Sequence, residues 1–166
     1  MTATTRPTLL NSCARAATAA EARFRIQAPV LAQFRNARVI ALDDGAAAVV
    51  RAVAAGRWGG ARFFTAAVDT PDGLTLTPVA GAGTSLADAL APADVVVLVA
   101  TSDDGAGPAA AIGAACRVRG VMTAGLVVGD GFWSGPAVSA LRPYARVLLV
   151  SSDEDDVTDI LTALRA

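Results

Sequence analysis

The sequence predicts a doubly wound α/β domain with a mainly parallel sheet of about five strands and flanking helices, preceded by an N-terminal helical extension. Two observations support this. Five short runs are almost continuously apolar, which is typical of strands buried on both faces of a parallel sheet. Helix-like stretches separate these runs, as crossover helices do.

The chain divides into residues 1–35, the predicted helical extension, and residues 36–166, the α/β domain. Apolar residues recur at helical spacing between residues 9 and 24, and a second short helix is predicted at 29–34. A domain of this length buries enough surface to fold without disulfides. Cys13 and Cys116 are isolated in sequence, so we expect both to be structural.

The predicted elements of the domain follow the apolar runs in order. The strands are Val39–Leu42, Phe63–Val68, Val95–Val99, Ala124–Val128 and Val147–Val150, with Thr75–Thr77 as a candidate extra edge strand. The helices are predicted at Ala46–Ala55, Ser85–Leu90, Pro108–Val118, Gly135–Leu141 and Asp153–Leu164.

Composition excludes several function classes. The chain has no histidine, and all 14 basic residues are arginine, which excludes a His-based triad, a His-ligated metal, a Schiff base and a Lys-containing P-loop. The arginines are scattered and the net charge is -1, so no nucleic-acid surface is expected. No apolar run approaches the ~20 residues of a membrane span, and no signal peptide is recognisable. We therefore expect a cytoplasmic protein, and the composition argues against most common enzyme classes without deciding whether the protein is an enzyme.

Two similar acidic loops follow the first and third predicted strands. They are Asp43-Asp44-Gly45-Ala46 and Asp103-Asp104-Gly105-Ala106-Gly107. Ligands of such sheets bind beyond the carboxyl ends of the strands, where glycine-rich turns present N–H groups to phosphate. Two carboxylates ~4 Å apart repel by about 4 kcal/mol at an effective dielectric of 20, so these loops disfavour a phosphate.

Several segments in order resemble one known family. Val39–Val49 is similar to its first strand and Gly-rich loop, and Ala93–Ala100 to the strand before its G-G-G-T-G-T-G signature, which is degraded here to Ser102–Gly107. Phe63–Asp69 resembles a strand that ends in N-T-D, Gly81-Ala82-Gly83 a phosphate loop, and Trp133-Ser134-Gly135 an F-E-G motif. From Arg38 to Asp156 the chain thus resembles the N-terminal GTP-binding domain of the FtsZ/tubulin superfamily, in degenerate form.

The resemblance implies a Rossmann-like fold with a nucleotide cleft. The residues that it implies for contact with a ligand are Asp43, Asp44, Gly45, Asp69, Gly81, Gly83, Asp103, Asp104, Gly105, Gly107, Trp133 and Ser134. The family's second domain, with its acidic catalytic loop, has no counterpart, so GTP hydrolysis is not expected. We expect that the protein binds no cofactor, and GTP/GDP or Mg²⁺ is the alternative.

Alternatives stay open for the acidic loops. The aspartates either cap helices, or form a divalent-cation site from Asp43, Asp44, Asp103 and Asp104, or hold a metal-bridged nucleotide. Gly81-Ala82-Gly83 is either a phosphate grip or a plain turn, and Trp133 either stacks on a ligand or packs in the core or rim.

Three functions are consistent with these readings. The first is a non-catalytic, FtsZ-like accessory protein that forms a homo-oligomer or binds a protein partner through its N-terminal and C-terminal helices. The second is a nucleotide- or small-molecule-binding protein or weak enzyme, and the third an ordinary Rossmann-type binder of a sugar phosphate or cofactor. The final helix carries Val157, Ile160, Leu161 and Leu164 on one face, which either folds back on the sheet or forms an apolar strip for a partner.

Overall fold

A single sheet of seven strands organises the part of the chain that the computed structural model describes, residues 34–70, 73–129, 135–151 and 153–166. Five strands are parallel, and they coincide with the five apolar runs. The strands are β1 (Ala37–Ala41), β2 (Arg62–Thr70), β3 (Gly73–Pro78), β4 (Thr84–Ser85), β5 (Val95–Ala100), β6 (Met122–Val128) and β7 (Val147–Ser151).

The strand order is β4-β3-β2-β1-β5-β6-β7. β1 pairs with β2 on one side and with β5 on the other, so the direction of winding reverses between β1 and β5. This is the switch point at which open α/β sheets bind ligands. The amide of Leu42 donates to the carbonyl of Val99 at 2.9 Å and so extends the β1–β5 ladder into the loop that follows β1.

An antiparallel hairpin extends the sheet beyond β2. β3 pairs with β2 in antiparallel register from Phe64 opposite Pro78 to Thr70 opposite Gly73. The two-residue β4 then pairs with β3 and forms one edge. Because β3 runs against the parallel strands, the loop after it lies at their amino ends.

One face of the sheet is covered by two helices. These are α1 (Asp44–Ala54) and the C-terminal helix α5 (Asp155–Leu164). Alternate residues of the central strands, such as Val39, Val97 and Leu126, pack against them. In α5, Val157 and Leu161 are fully buried in this cluster, and Ile160 and Leu164 pack against it. The apolar face of the C-terminal helix therefore lies on the sheet, one of the two arrangements that its pattern allows.

The opposite face is covered by three helices, α2 (Leu86–Leu90), α3 (Ala106–Arg119) and α4 (Pro136–Leu141). Ile40, Leu98 and Val127 point to this side and pack against Ile112 and Leu141, among others. α3 ends at Gly120, whose φ of 69° is the left-handed conformation that glycine adopts most readily at a helix end. With helices on both faces, the predicted doubly wound α/β architecture is confirmed.

All five predicted parallel strands and the extra strand at Thr75–Thr77 are present. The expected total of about five is corrected to seven, because β3 joins the sheet in full and β4 was not predicted. β4 escaped sequence reading because two polar residues carry no periodic signal. Residues 1–33, and with them nearly all of the predicted helical extension and Cys13, lie outside the described residues.

Two further expectations concern the burial of Cys116 and the absence of a membrane-spanning helix. Cys116 is fully buried in α3, and burial raises the pKa of its thiol although Thr123 and Arg119 oppose the shift. Within the described ranges, the helices are all too short or too polar to cross a bilayer.

Candidate functional site

The loops that follow β1 and β5 meet at the switch point, as predicted from the sheet. Asp43 ends the first loop and stands in an extended conformation, φ -145° and ψ 174°, immediately before α1. Its carboxylate reaches both its own helix and the loop after β5. The geometry around this one side chain defines the candidate site.

Four donors converge on the Asp43 carboxylate. The Ala46 amide and the Thr101 hydroxyl donate to Oδ1 at 2.8 and 2.6 Å. The amides of Thr101 and Ser102 donate to Oδ2 at 2.8 and 3.1 Å. An ionised carboxylate offers about four acceptor positions, so Asp43 uses all of them within the protein.

Close backbone approach makes this arrangement possible. A Cβ at Gly45 would overlap the Thr101 hydroxyl. A Cβ at Gly105 would come within 2.9 Å of the Leu42 Cβ and 3.3 Å of the Asp43 Oδ2. Gly45 and Gly105, two of the five glycines of the predicted site, are therefore required by packing between the two loops.

The second acidic loop is built differently. Asp103–Gly105 form a turn of 3₁₀-helix that leads into α3. The Ala137 amide donates to Asp103 Oδ1 at 3.2 Å, so this carboxylate contacts the first turn of α4 rather than α3. Asp44 and Asp104, the second aspartate of each loop, are exposed, and so is Gly107, where an added Cβ would meet no atom within 4 Å.

The contacts of Asp43 and Asp103 correspond to the helix-capping alternative. Among the residues described, no group of three or more His, Cys, Asp or Glu side chains is placed to hold a metal ion. A cation at Asp43 would have to compete with four hydrogen bonds. The predicted metal and nucleotide contacts of these aspartates stay predictions.

The other predicted site residues lie apart from this cluster. Gly81 and Gly83 follow β3 and are therefore at the amino ends of the parallel strands, with Gly81 at a φ of 120°. Asp69 lies near the end of β2, although its side chain is outside the described part, as are Trp133 and Ser134 altogether. The structure thus does not bring the Gly81-Ala82-Gly83 loop to the acidic loops.

Sequence reasoning did not single out Thr101, Ser102 and Arg38. Thr101 and Ser102 supply three of the four donors to Asp43, and the detectable signal was their place directly after a buried strand at the switch point. Arg38 is 4% exposed inside β1. Its signal was a charged residue at the start of an apolar strand.

No protein-family model matches the chain, and no curated protein matches it in sequence. Solved structures to which the chain shows distant structural similarity include two structures of proximal thread matrix protein 1 (PTMP1) from the mussel byssus. The TM-scores are 0.40 and 0.41, the identities 17% and 16%, and each alignment covers 78% of this chain. The chain spans 44% of the length of that matrix protein.

Proposed function

We propose that this protein is a non-catalytic interaction module, an FtsZ-like accessory protein whose phosphate loops no longer bind nucleotide. The observation that carries the proposal is the Asp43 carboxylate, which accepts hydrogen bonds from Ala46, Thr101 and Ser102. These are the first turn of a helix and the loop of the neighbouring strand, the groups that an anion uses in sheets of this class.

A phosphate can use the same donors only after the carboxylate leaves them. It would then lie near Asp44, Asp103 and Asp104 as well as the displaced Asp43. Repulsion of about 4 kcal/mol per unit charge at ~4 Å adds to the loss of charge-assisted hydrogen bonds. Both terms oppose nucleotide binding at the switch point.

The composition supports the same conclusion. Without histidine or lysine, the chain has no imidazole for proton transfer near neutral pH and no side-chain amine for covalent catalysis.

The nucleotide part of the proposal is tested by thermal unfolding with GTP or GDP and Mg²⁺. We expect no stabilisation of the natural protein, whereas a ligand at 100 times its Kd would add about 2.7 kcal/mol. Asp43→Gly frees the four donors, and Asp44→Gly removes the same charge while leaving them occupied. We expect stabilisation by nucleotide to appear in the first variant only; stabilisation of the natural protein supports the alternative function, a nucleotide-binding protein.

The interaction part of the proposal rests on the edge strand β7. In the described part of the chain β7 pairs only with β6, so its outer N–H and C=O groups are free to pair with another strand. Its sequence is Val147-Leu148-Leu149-Val150-Ser151, without charge or proline, and Val147 and Leu149 are 60% and 37% exposed on one face. Natural edges usually carry charges, prolines or bulges that prevent such pairing.

A second copy of the chain fits this edge by symmetry and charge. A two-fold axis perpendicular to the sheet pairs β7 with its copy in antiparallel direction and keeps the same faces together. Centred on Leu148, this register sets Val147 opposite the copy's Leu149. Arg142 and Arg146 precede the strand and Asp153–Asp156 follow it, so opposite charges meet at both ends of the pair.

Self-association is tested by light scattering after size-exclusion chromatography. We expect a concentration-dependent dimer of the natural protein and a monomer for Val147→Lys. The matched control is Val118→Lys, because Val118 is 84% exposed and lies on a helix, α3, and not on an edge strand. A natural protein that stays monomeric at high concentration, or dimers that persist in Val147→Lys, would contradict the proposed dimer.

A further inference from the structure

A cavity of about 750 Å³ opens at the amino ends of β1 and β2, whereas Asp43 lies at the opposite end of the strands. This volume is within the range of small-molecule sites. Arg38 and Arg62 lie in its polar wall, the first residues of the loop after β3 close it, and most of the remaining lining is apolar.

Arg38 is 4% exposed, which is rare for an arginine. Its Nε donates to the Ala89 carbonyl at 2.9 Å and its Nη1 to the Ala37 carbonyl at 3.0 Å. These bonds fix the plane of the guanidinium against the end of α2. Nε and Nη1 are thus occupied by these two carbonyls, Nη2 donates to no acceptor among the described residues, and Arg38 lines the cavity.

Arg62 lies beside Arg38. The two residues are opposite each other in the parallel register of β1 and β2, so their side chains leave the same face of the sheet on strands ~4.8 Å apart. Burial and then the positive charge of Arg62 lower the pKa of Arg38, while the charge of Asp94 raises it. A buried cation beside a second, exposed cation favours an anion in the space between them.

One carboxylate, Asp88, also lines the cavity. It is held in a reciprocal cap of α2, in which the Ser85 hydroxyl donates to Asp88 Oδ2 at 2.6 Å and the Asp88 amide donates to Ser85 Oγ at 3.1 Å. The lining therefore carries two cations and one anion.

The remaining wall sets the shape of a ligand. Phe64, Pro78 and Val79 form an apolar side, and Gly81 and Ala82 form a rim of exposed backbone. An added Cβ at Gly81 would meet no atom within 4 Å, so the rim leaves the entrance open. An apolar body next to two guanidinium groups is the combination that this wall accommodates.

We propose that this cavity binds a small organic anion, with a phosphate or carboxylate head group on Arg38 Nη2 and the Arg62 guanidinium and an apolar body against Phe64 and Pro78. Such a site is separate from the switch point and goes beyond the proposed interaction function. Arginine suits this role because it binds oxyanions through directed N–H groups and stays charged at any physiological pH.

The test uses phenyl phosphate and benzoate as probes, with phenol as the uncharged analogue. Their Kd values are measured by calorimetry on the full-length protein. We expect phenyl phosphate or benzoate to bind at least about tenfold more tightly than phenol, since a charge-assisted hydrogen bond contributes a tenfold factor or more. Whichever of the two binds more tightly identifies the head group.

Arg62→Gln is the decisive variant because Arg62 is exposed and its replacement leaves the contacts of Arg38 in place. We expect it to weaken the tighter anion by at least about tenfold, while Arg119→Gln, an exposed arginine on α3 outside the cavity lining, leaves the Kd unchanged. Equal affinity for phenol and the anions, equal loss in both variants, or no binding of either anion overturns the proposal.

Discussion

The two Asp-Asp-Gly-Ala loops have the same four residues and follow adjacent strands, β1 and β5. Their first aspartates nevertheless form hydrogen bonds with different parts of the protein. In the first loop, Asp43 is the extended residue before α1 and caps that helix through the Ala46 amide. In the second loop, the extended residue is Ser102, one position earlier, with φ -144° and ψ 171°. Asp103 is then already inside the helical turn, and its carboxylate reaches the first turn of α4.

The difference shows that the start of a helix, rather than the tetrapeptide, decides what an aspartate binds. When helical geometry starts one residue earlier, the same aspartate no longer caps its own helix and forms a hydrogen bond with a different helix. Asp43 also accepts hydrogen bonds from the amides of Thr101 and Ser102 and so connects the two loops. Asp103 instead connects the second loop to α4.

The largest expected effect comes from Asp43→Ala. It leaves four donors without their acceptor and removes a charge-assisted network and a helix cap, so we expect a loss of about 3 kcal/mol in the free energy of unfolding. Urea denaturation measures it. Asp43→Asn keeps the size of the side chain and should also destabilise, because its NH₂ group faces an N–H donor; a cost no greater than that of Asp103→Ala would break the comparison.

The next effect concerns the glycines that follow the aspartates. Gly45→Ala places a methyl group on the Thr101 hydroxyl, and overpacking of this kind costs about 2 kcal/mol. Gly107→Ala is the matched control, since it adds a methyl group in open space and should stabilise α3 by about 0.5 kcal/mol. In a double-mutant cycle measured by urea denaturation, Gly45→Ala should cost less in the Thr101→Ala background, because the hydroxyl that the new methyl group would overlap is absent.

Asp103→Ala should cost less, about 1 kcal/mol, the usual contribution of one cap. The effect should be local to α4. Amide hydrogen exchange measures this directly: Ala137 and its neighbours in α4 should exchange faster, while the amides of α1 keep their protection. Faster exchange in α1 and unchanged exchange in α4 would contradict the proposed contact between Asp103 and α4.

The smallest effect is expected at the exposed second aspartates. Asp44→Asn and Asp104→Asn each remove a charge near a helix N-terminus without breaking a hydrogen bond that the structure shows, and we expect each to cost about 0.5 kcal/mol at low salt. The two losses should be similar to each other and should shrink in 1 M salt, because exposed charges are screened. A large difference between them would mean that the loops differ at the second aspartate too.

The apolar runs predicted the fold well because the central strands β1, β5 and β6 are buried on both faces. The meeting of the two acidic loops also followed from the sheet alone. The roles of Asp43 and Asp103 did not, because they depend on a one-residue difference in helix start that two nearly identical sequences do not reveal. The pairing of Arg38 with Arg62 depends on the register of β1 and β2, which no local pattern specifies.

The common direction of the five parallel strands separates charge along the molecule. Carboxylates predominate after the carboxyl ends of the strands, and guanidinium groups predominate at or before their amino ends, where Asp88 and Asp94 are the carboxylates. The former include Asp43, Asp44, Asp103, Asp104 and Asp153–Asp156, the latter Arg35, Arg38, Arg62, Arg142 and Arg146. In the described residues this distribution gives a dipole moment along the strand axis, which the formal net charge of -1 does not reveal. We expect the protein to be retained by both cation- and anion-exchange resins at low ionic strength, and to orient its acidic end toward any positively charged surface.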